Sequence, residues 1–69
     1  MVLTVKSKQL GKRMRIIRRK KGMTLTAFAH AVGVAVPTAS EWELGVYSPR
    51  LANLRRAVRV LGCEVSDLI

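Results

Sequence analysis

Between Thr24 and Leu44 the chain reads TLTAFAHAVGVAVPTASEWEL, and the spacing inside this stretch decides the fold. Thr24 is a capping residue placed directly before an apolar run. It predicts a helix over Leu25–Val32, with Phe28, Ala29 and Val32 on the inner face. Gly33 supplies the positive-φ backbone that a tight turn needs. A second helix is expected from about Val36 to Leu44. Pro37 falls in its first turn, where a missing N–H costs little. Ala39 and Trp42 face inward in that helix, and Gly45 stops it.

Two helices that cross steeply need a small residue where they touch, and Ala29 stands at that place, four residues before Gly33. Val34, just after the glycine, plugs the turn into the core. These three residues at this mutual spacing describe a helix-turn-helix over about residues 25–44.

Working outward, an earlier helix is predicted from Ser7, as cap, to Lys20. Leu10, Met14 and Ile17 recur along one face, and Gly22 ends it in a left-handed cap. Lys12, Arg13, Arg15, Arg19 and Lys20 point into solvent or towards a partner. After Gly45 a loop with Tyr47 leads to Ser48-Pro49, read as a cap followed by a helix-starting proline. The next helix then carries Leu51, Leu54, Ala57, Val58 and Leu61 on its apolar face, and Gly62 ends it. Ser66 to Ile69 makes at most one closing turn. The expectation is an all-α, compact five-helix domain over residues 7–69, behind an N-terminal arm over 1–6. Only Val2 to Val5 alternates in the manner of a strand.

Composition narrows the function. A chain of 69 residues buries only about 60% of its unfolded surface, so the helices must share one core. Cys63 is the sole cysteine, and no His/Cys/Asp cluster offers a metal site, so tight helix packing must carry stability. Met1 to Val5 is apolar but too short for a signal-peptide core, and no run approaches the roughly 18 apolar residues of a spanning helix. The cytoplasm is the expected location. Thirteen Lys/Arg against four Asp/Glu give a net charge of +9, which suits a polyanion, usually nucleic acid. One His, one Cys and four scattered acids supply no nucleophile–base or carboxylate pair, so no enzyme and no cofactor are expected. His30 reads as an exposed bystander, Cys63 as a small apolar packer and Trp42 as core.

With its flanks, the motif resembles the lambda-repressor/Cro-type (XRE-like) helix-turn-helix family. The residues that carry the resemblance are Gly22-Met23-Thr24, Phe28-Ala29, Gly33-Val34, Thr38, Ser40, Trp42-Glu43, Gly45, Pro49 and Leu54. It extends back through Leu10-Gly11 and Arg15-Ile16-Ile17-Arg18, and forward through Leu61-Gly62 and Asp67-Leu68. The resemblance implies that Arg18 and Glu43 form a structural ion pair. It also implies that the second helix anchors its start, at Thr24 and Leu25, on a DNA phosphate while the third lies in the major groove. Val36, Pro37 and Thr38 then face the groove, with Ser40 and Glu41 further along, and Arg50 reaches the backbone or minor groove. Tyr47 is expected to hydrogen-bond a phosphate.

The sequence departs from the family pattern at three places. Leu25 replaces the usual glutamine, Ala35 replaces the Ser/Thr cap of the recognition helix, and Val36-Pro37 replace polar reading residues. Nine of the basic residues lie between Lys6 and Lys21 and four between Arg50 and Arg59, with none from Gly22 to Pro49. The reading helix therefore lacks a bidentate guanine reader. The reading reached is a transcriptional regulator, a repressor, held on double-stranded DNA by phosphate contacts from the basic flanks. A homodimer on a palindromic operator is expected, joined through Val60, Val65, Leu68 and Ile69, which exceed what one small core can hide. The alternative is a protein-binding module, such as an antitoxin that captures a partner protein.

Overall fold

A computed structural model describes residues 7–69. The N-terminal arm and the capping role of the Ser7 side chain lie outside the described residues. Four α-helices follow one another: α1 (Ser7–Lys20), α2 (Leu25–Val32), α3 (Val36–Leu44) and α4 (Leu51–Leu61). The first three occupy the expected spans. α1 packs mainly on α3, and α2 packs on both α3 and α4. Each helix contributes to one core, made by Leu10 and Met14, Phe28, Ala29 and Val32, Ala39 and Trp42, and Ala57 and Leu61.

Local chemistry explains where the helices begin and end. Thr24 Oγ1 accepts from the Ala27 N–H at 3.1 Å and so caps α2. At Gly33 the backbone turns to φ +90°, and the N–H groups of Gly33 and Val34 both return to the Ala29 carbonyl at 2.9 and 3.0 Å. A side chain at position 33 would strain that geometry, which is why the turn between the two central helices needs glycine. α3 opens on Ala35, whose extended backbone is right for a cap but whose side chain bonds nothing. Ala35→Ser is expected to raise stability by about 1 kcal/mol. Thermal melting of the free protein checks it, and an unchanged Tm would mean that the Thr38 amide is already satisfied by water.

Two expectations are corrected. The described residues hold four α-helices, not five. The closing segment is a single 3-10 turn, Val65–Asp67, fixed by reciprocal side-chain caps in which Asp67 Oδ2 accepts from the Glu64 N–H at 2.8 Å. This turn is too short to be a helix because Leu68, directly after it, swings into the core and is fully buried. Secondly, α4 starts at Leu51 with Arg50 at its cap, two residues later than the Ser48-Pro49 reading. Pro49 stands in the loop outside the helix, half-buried, and lines an apolar groove with Leu10, Leu51 and Leu54. Leu51, expected on the inner face, overhangs the core from the first turn of α4 and is exposed.

Candidate nucleic-acid interface

The inner face of α3 is set by Ala39, Trp42 and Glu43, all buried. At 100° per residue the opposite face is then a ridge of Pro37, Ser40, Glu41 and Leu44, with Thr38 on one flank and Val36 on the other. Pro37 is exposed, whereas Val36, Thr38, Ser40 and Glu41 are half-exposed, and Val36 also packs against the core. α2 presents Thr24, Thr26 and Ala27 at its exposed start. The Thr24 hydroxyl is engaged in capping, and Leu25 is tucked half-buried against the core. Tyr47 is 62% exposed in the loop after α3, and Arg50 is exposed at the start of α4.

What fixes the pose of α3 is a buried ion pair. Arg18 of α1 donates from Nε to Glu43 Oε2 at 2.6 Å and from Nη2 to Oε1 at 3.0 Å. Its remaining Nη1 donates to the Met23 carbonyl at 2.8 Å, so one guanidinium ties α1, the α1–α2 turn and the end of α3 together. Arg15 Nε lies 3.5 Å from Glu43 Oε1 at the solvent edge. The hydrogen bond to Glu43 pushes the Arg18 guanidinium up from its ordinary value, against the opposing cost of burial. A raised value in the folded state means that the stability gained from charging Arg18 is present below the unfolded arginine value and is lost only as the pH rises through the folded one.

Sequence reasoning missed two basic residues that are committed to the fold. Arg13 Nη1 donates to the Ile69 main-chain oxygen at 2.8 Å, and Lys21 Nζ donates to the Val60 carbonyl at 3.0 Å. Arg13 lies on the flank of the apolar stripe of α1, and Lys21 follows directly after the helix ends. Their partners lie 56 and 39 residues away, so no local signal could have found them. The exposed cations left on the described surface are Lys8, Lys12, Arg19 and Lys20 of α1, and Arg50, Arg55, Arg56 and Arg59 around α4. The exposed Lys and Arg side chains are thus confined to α1 and to the region of α4, and none lies on α2 or α3.

The exposed apolar surface near the C-terminus differs from the one expected. Leu68 has no surface to offer because it fills the core, and Val60 and Val65 are half-buried. The exposed large apolar side chains include instead Leu44, Val46, Leu51 and Ile69, each 46% to 60% exposed. Leu51 and Ile69 border a shallow apolar groove with Leu10, Pro49, Leu54 and Val65. Cys63 is half-buried, and burial pushes its thiol up, which leaves less reactive thiolate at neutral pH. His30 is exposed. No group of metal-ligating side chains occurs among the described residues, and no described helix is long and apolar enough to cross a membrane.

A helix-turn-helix family model matches residues 14–68, most of the chain and all of α2 through the closing turn. The chain belongs to the lambda-repressor/Cro-type helix-turn-helix family. This is a family of DNA-binding transcription regulators, not of enzymes. A relative is the uncharacterized HTH-type transcriptional regulator YazB of Bacillus subtilis (strain 168), 36% identical over 58 residues that make up 84% of each chain. The fold superposes on the clp gene regulator ClgR from Corynebacterium glutamicum with a TM-score of 0.88 and 31% identity, over 94% of this chain and 69% of that one. It matches the restriction-modification controller protein C.AhdI from Aeromonas hydrophila at 0.87, over 91% and 96% of the two chains, and at 24% identity that likeness speaks for the fold alone. Within this helix-turn-helix frame α3 stands at the position of the recognition helix.

Proposed function

We propose that the protein is a sequence-specific regulator of transcription that docks α3 in the major groove of double-stranded DNA and represses by occupying its site. The observation that carries this reading is the distribution of exposed charge. α3 itself bears no cation, while Lys8, Lys12 and Arg19 of α1 and Arg50, Arg55, Arg56 and Arg59 around α4 remain free to meet phosphates. A groove-docked helix needs its cations on the flanks, where the two backbones rise on either side. Thr24, Leu25 and the amides at the start of α2 face one phosphate, Tyr47 and Arg50 the other backbone, and Val36, Pro37, Thr38, Ser40 and Glu41 the bases.

A single domain of this size reads only a few base pairs, so a two-fold dimer on a palindrome, with half-sites one helical turn apart, supplies the missing affinity. The exposed apolar set of Leu44, Val46, Leu51 and Ile69 is the dimer surface favoured here. It combines a ridge and a groove on one side, as a self-complementary contact requires, and from Gly45 to Pro49 it carries no charge to repel a second cationic copy.

Selection from a random duplex pool at two salt concentrations tests the reading. A palindrome is expected, with a log–log salt slope of about −5 if each subunit neutralises roughly three phosphates. Lys12→Ala is expected to flatten the slope by about two units, one phosphate contact being lost from each subunit, whereas Arg13→Ala leaves it unchanged because Arg13 serves the Ile69 oxygen. Uniform binding to all sequences would remove the specific regulator, and no binding at low salt would remove the DNA reading altogether.

A further inference from the structure

The residues on the outward ridge of α3 restrict which base edges the protein can select. A major-groove edge offers acceptors on guanine, acceptors with a methyl group on thymine, an amino donor on cytosine, and both an amino donor and an acceptor on adenine. α3 holds no Lys, Arg, Asn or Gln, so it can neither fork onto guanine nor bracket adenine. Thr38 and Ser40 carry hydroxyls that donate or accept as required, and so discriminate weakly. Two kinds of discriminating chemistry remain. Pro37, exposed in the first turn, and the uncovered side of Val36 form an apolar step at the end of the helix that enters the groove first. One turn further on, Glu41 presents a carboxylate that takes part in no ion pair among the described residues. It is attracted by an amino donor and repelled by acceptors, hence by guanine and thymine. It suits cytosine, whose edge is a donor alone, better than adenine, whose amino group lies beside the N7 acceptor.

Resting on the docking of α3 proposed above, we infer that the operator half-site is read through thymine methyl groups packed on Pro37 and Val36 and through a cytosine amino group donated to Glu41. No guanine is gripped by a bidentate contact from α3. The carboxylate acts chiefly by exclusion. Placed among phosphates it weakens binding to every duplex, and least where an amino group meets it, so selectivity is gained at the expense of affinity.

The test uses the duplex recovered from the random pool. Each thymine of the half-site is replaced in turn by deoxyuridine, which keeps the pairing and removes only the methyl group. One or two positions are expected to lose about fourfold in affinity, the worth of one buried methyl. Pro37→Ala should abolish the loss at one of them. If that variant melts early, the deoxyuridine series on the unaltered protein decides by itself. Glu41→Gln is expected to bind all duplexes more tightly and to relax the cytosine preference at a single position. Tight, selective binding with no deoxyuridine sensitivity, or an unchanged preference in Glu41→Gln, overturns this inference and leaves the docking intact. Failure to bind any duplex overturns both.

Discussion

Glu43→Gln is expected to destabilise the domain by about 3–5 kcal/mol, much of what a chain this short possesses. The substitution keeps the shape of the side chain and removes only its charge. Arg18, 8% exposed beneath α3, is then left as a buried cation without a counter-ion, and Glu43 at 6% exposure has no water to replace what it held. Desolvating two charged groups is expensive, and their bidentate contact offsets that cost only while both are present. The midpoint of urea unfolding should fall while its slope stays constant. A variant within 1 kcal/mol of the parent protein would show that Arg18 can reach solvent by a route the packing does not suggest. Arg18→Met combined with Glu43→Leu should be less damaging than Glu43→Gln alone, since an apolar pair incurs no desolvation cost. Arg15→Ala should cost under about 1 kcal/mol, as that guanidinium sits at the solvent edge of the pair. DNA binding by Glu43→Gln should fall with the folded fraction, because the pair acts on the pose of α3 and touches no base.

Gly11→Ala is the second large effect, and its sign is the informative part. In an isolated helix this change would stabilise by about 1 kcal/mol, since alanine loses less backbone freedom than glycine. Here α1 crosses α3 with the two backbones almost touching. A methyl group at position 11 would fall on the Trp42 carbonyl oxygen and lie 2.7 Å from that of Glu43. Neither neighbour can rotate away, because both belong to the backbone of α3. The helices must separate, which loosens Leu10 and Met14 from the core and stretches the Arg18–Glu43 contact. A net loss on the order of 3 kcal/mol is expected, or a fall in Tm of roughly 15 °C at about 4–8 °C per kcal/mol. Circular dichroism should retain most of the helix signal well below the new midpoint. A variant as stable as the parent protein would mean that the α1–α3 crossing is looser than the close approach implies.

Much of the local structure was legible because its causes are local. Thr24, Gly33 and Gly45 act on the amides and carbonyls within four residues of themselves, so the spans of α2 and α3 follow from composition and spacing. The missing cap at Ala35 was visible for the same reason. The boundary of α4 was misplaced because Ser48-Pro49 carries a valid local signal that the fold does not follow: Pro49 lines the apolar groove beside Leu10 and Leu54, and the helix begins only at Leu51.

The candidate site divides along the same line. The residue types on α3, and the lack of any cation between Gly22 and Pro49, are properties of the sequence. Which of the remaining cations are free is not. Arg13 and Lys21 look identical to Lys12 and Lys20 along the chain, yet the first two are held by carbonyls of the C-terminal quarter. Periodicity likewise counted Leu68 as surplus and Leu51 as core, and the packing exchanges them.

By itself, then, the sequence determined the order of the helices, the turn at Gly33 and the chemistry that α3 offers, since each depends on interactions within a few residues. Only the tertiary structure decided which cations are latches, which apolar side chains stay exposed, and that Gly11 must be glycine. Those depend on backbone and side chains brought together across 30 to 60 residues of chain, where spacing in the sequence carries no information about distance in space.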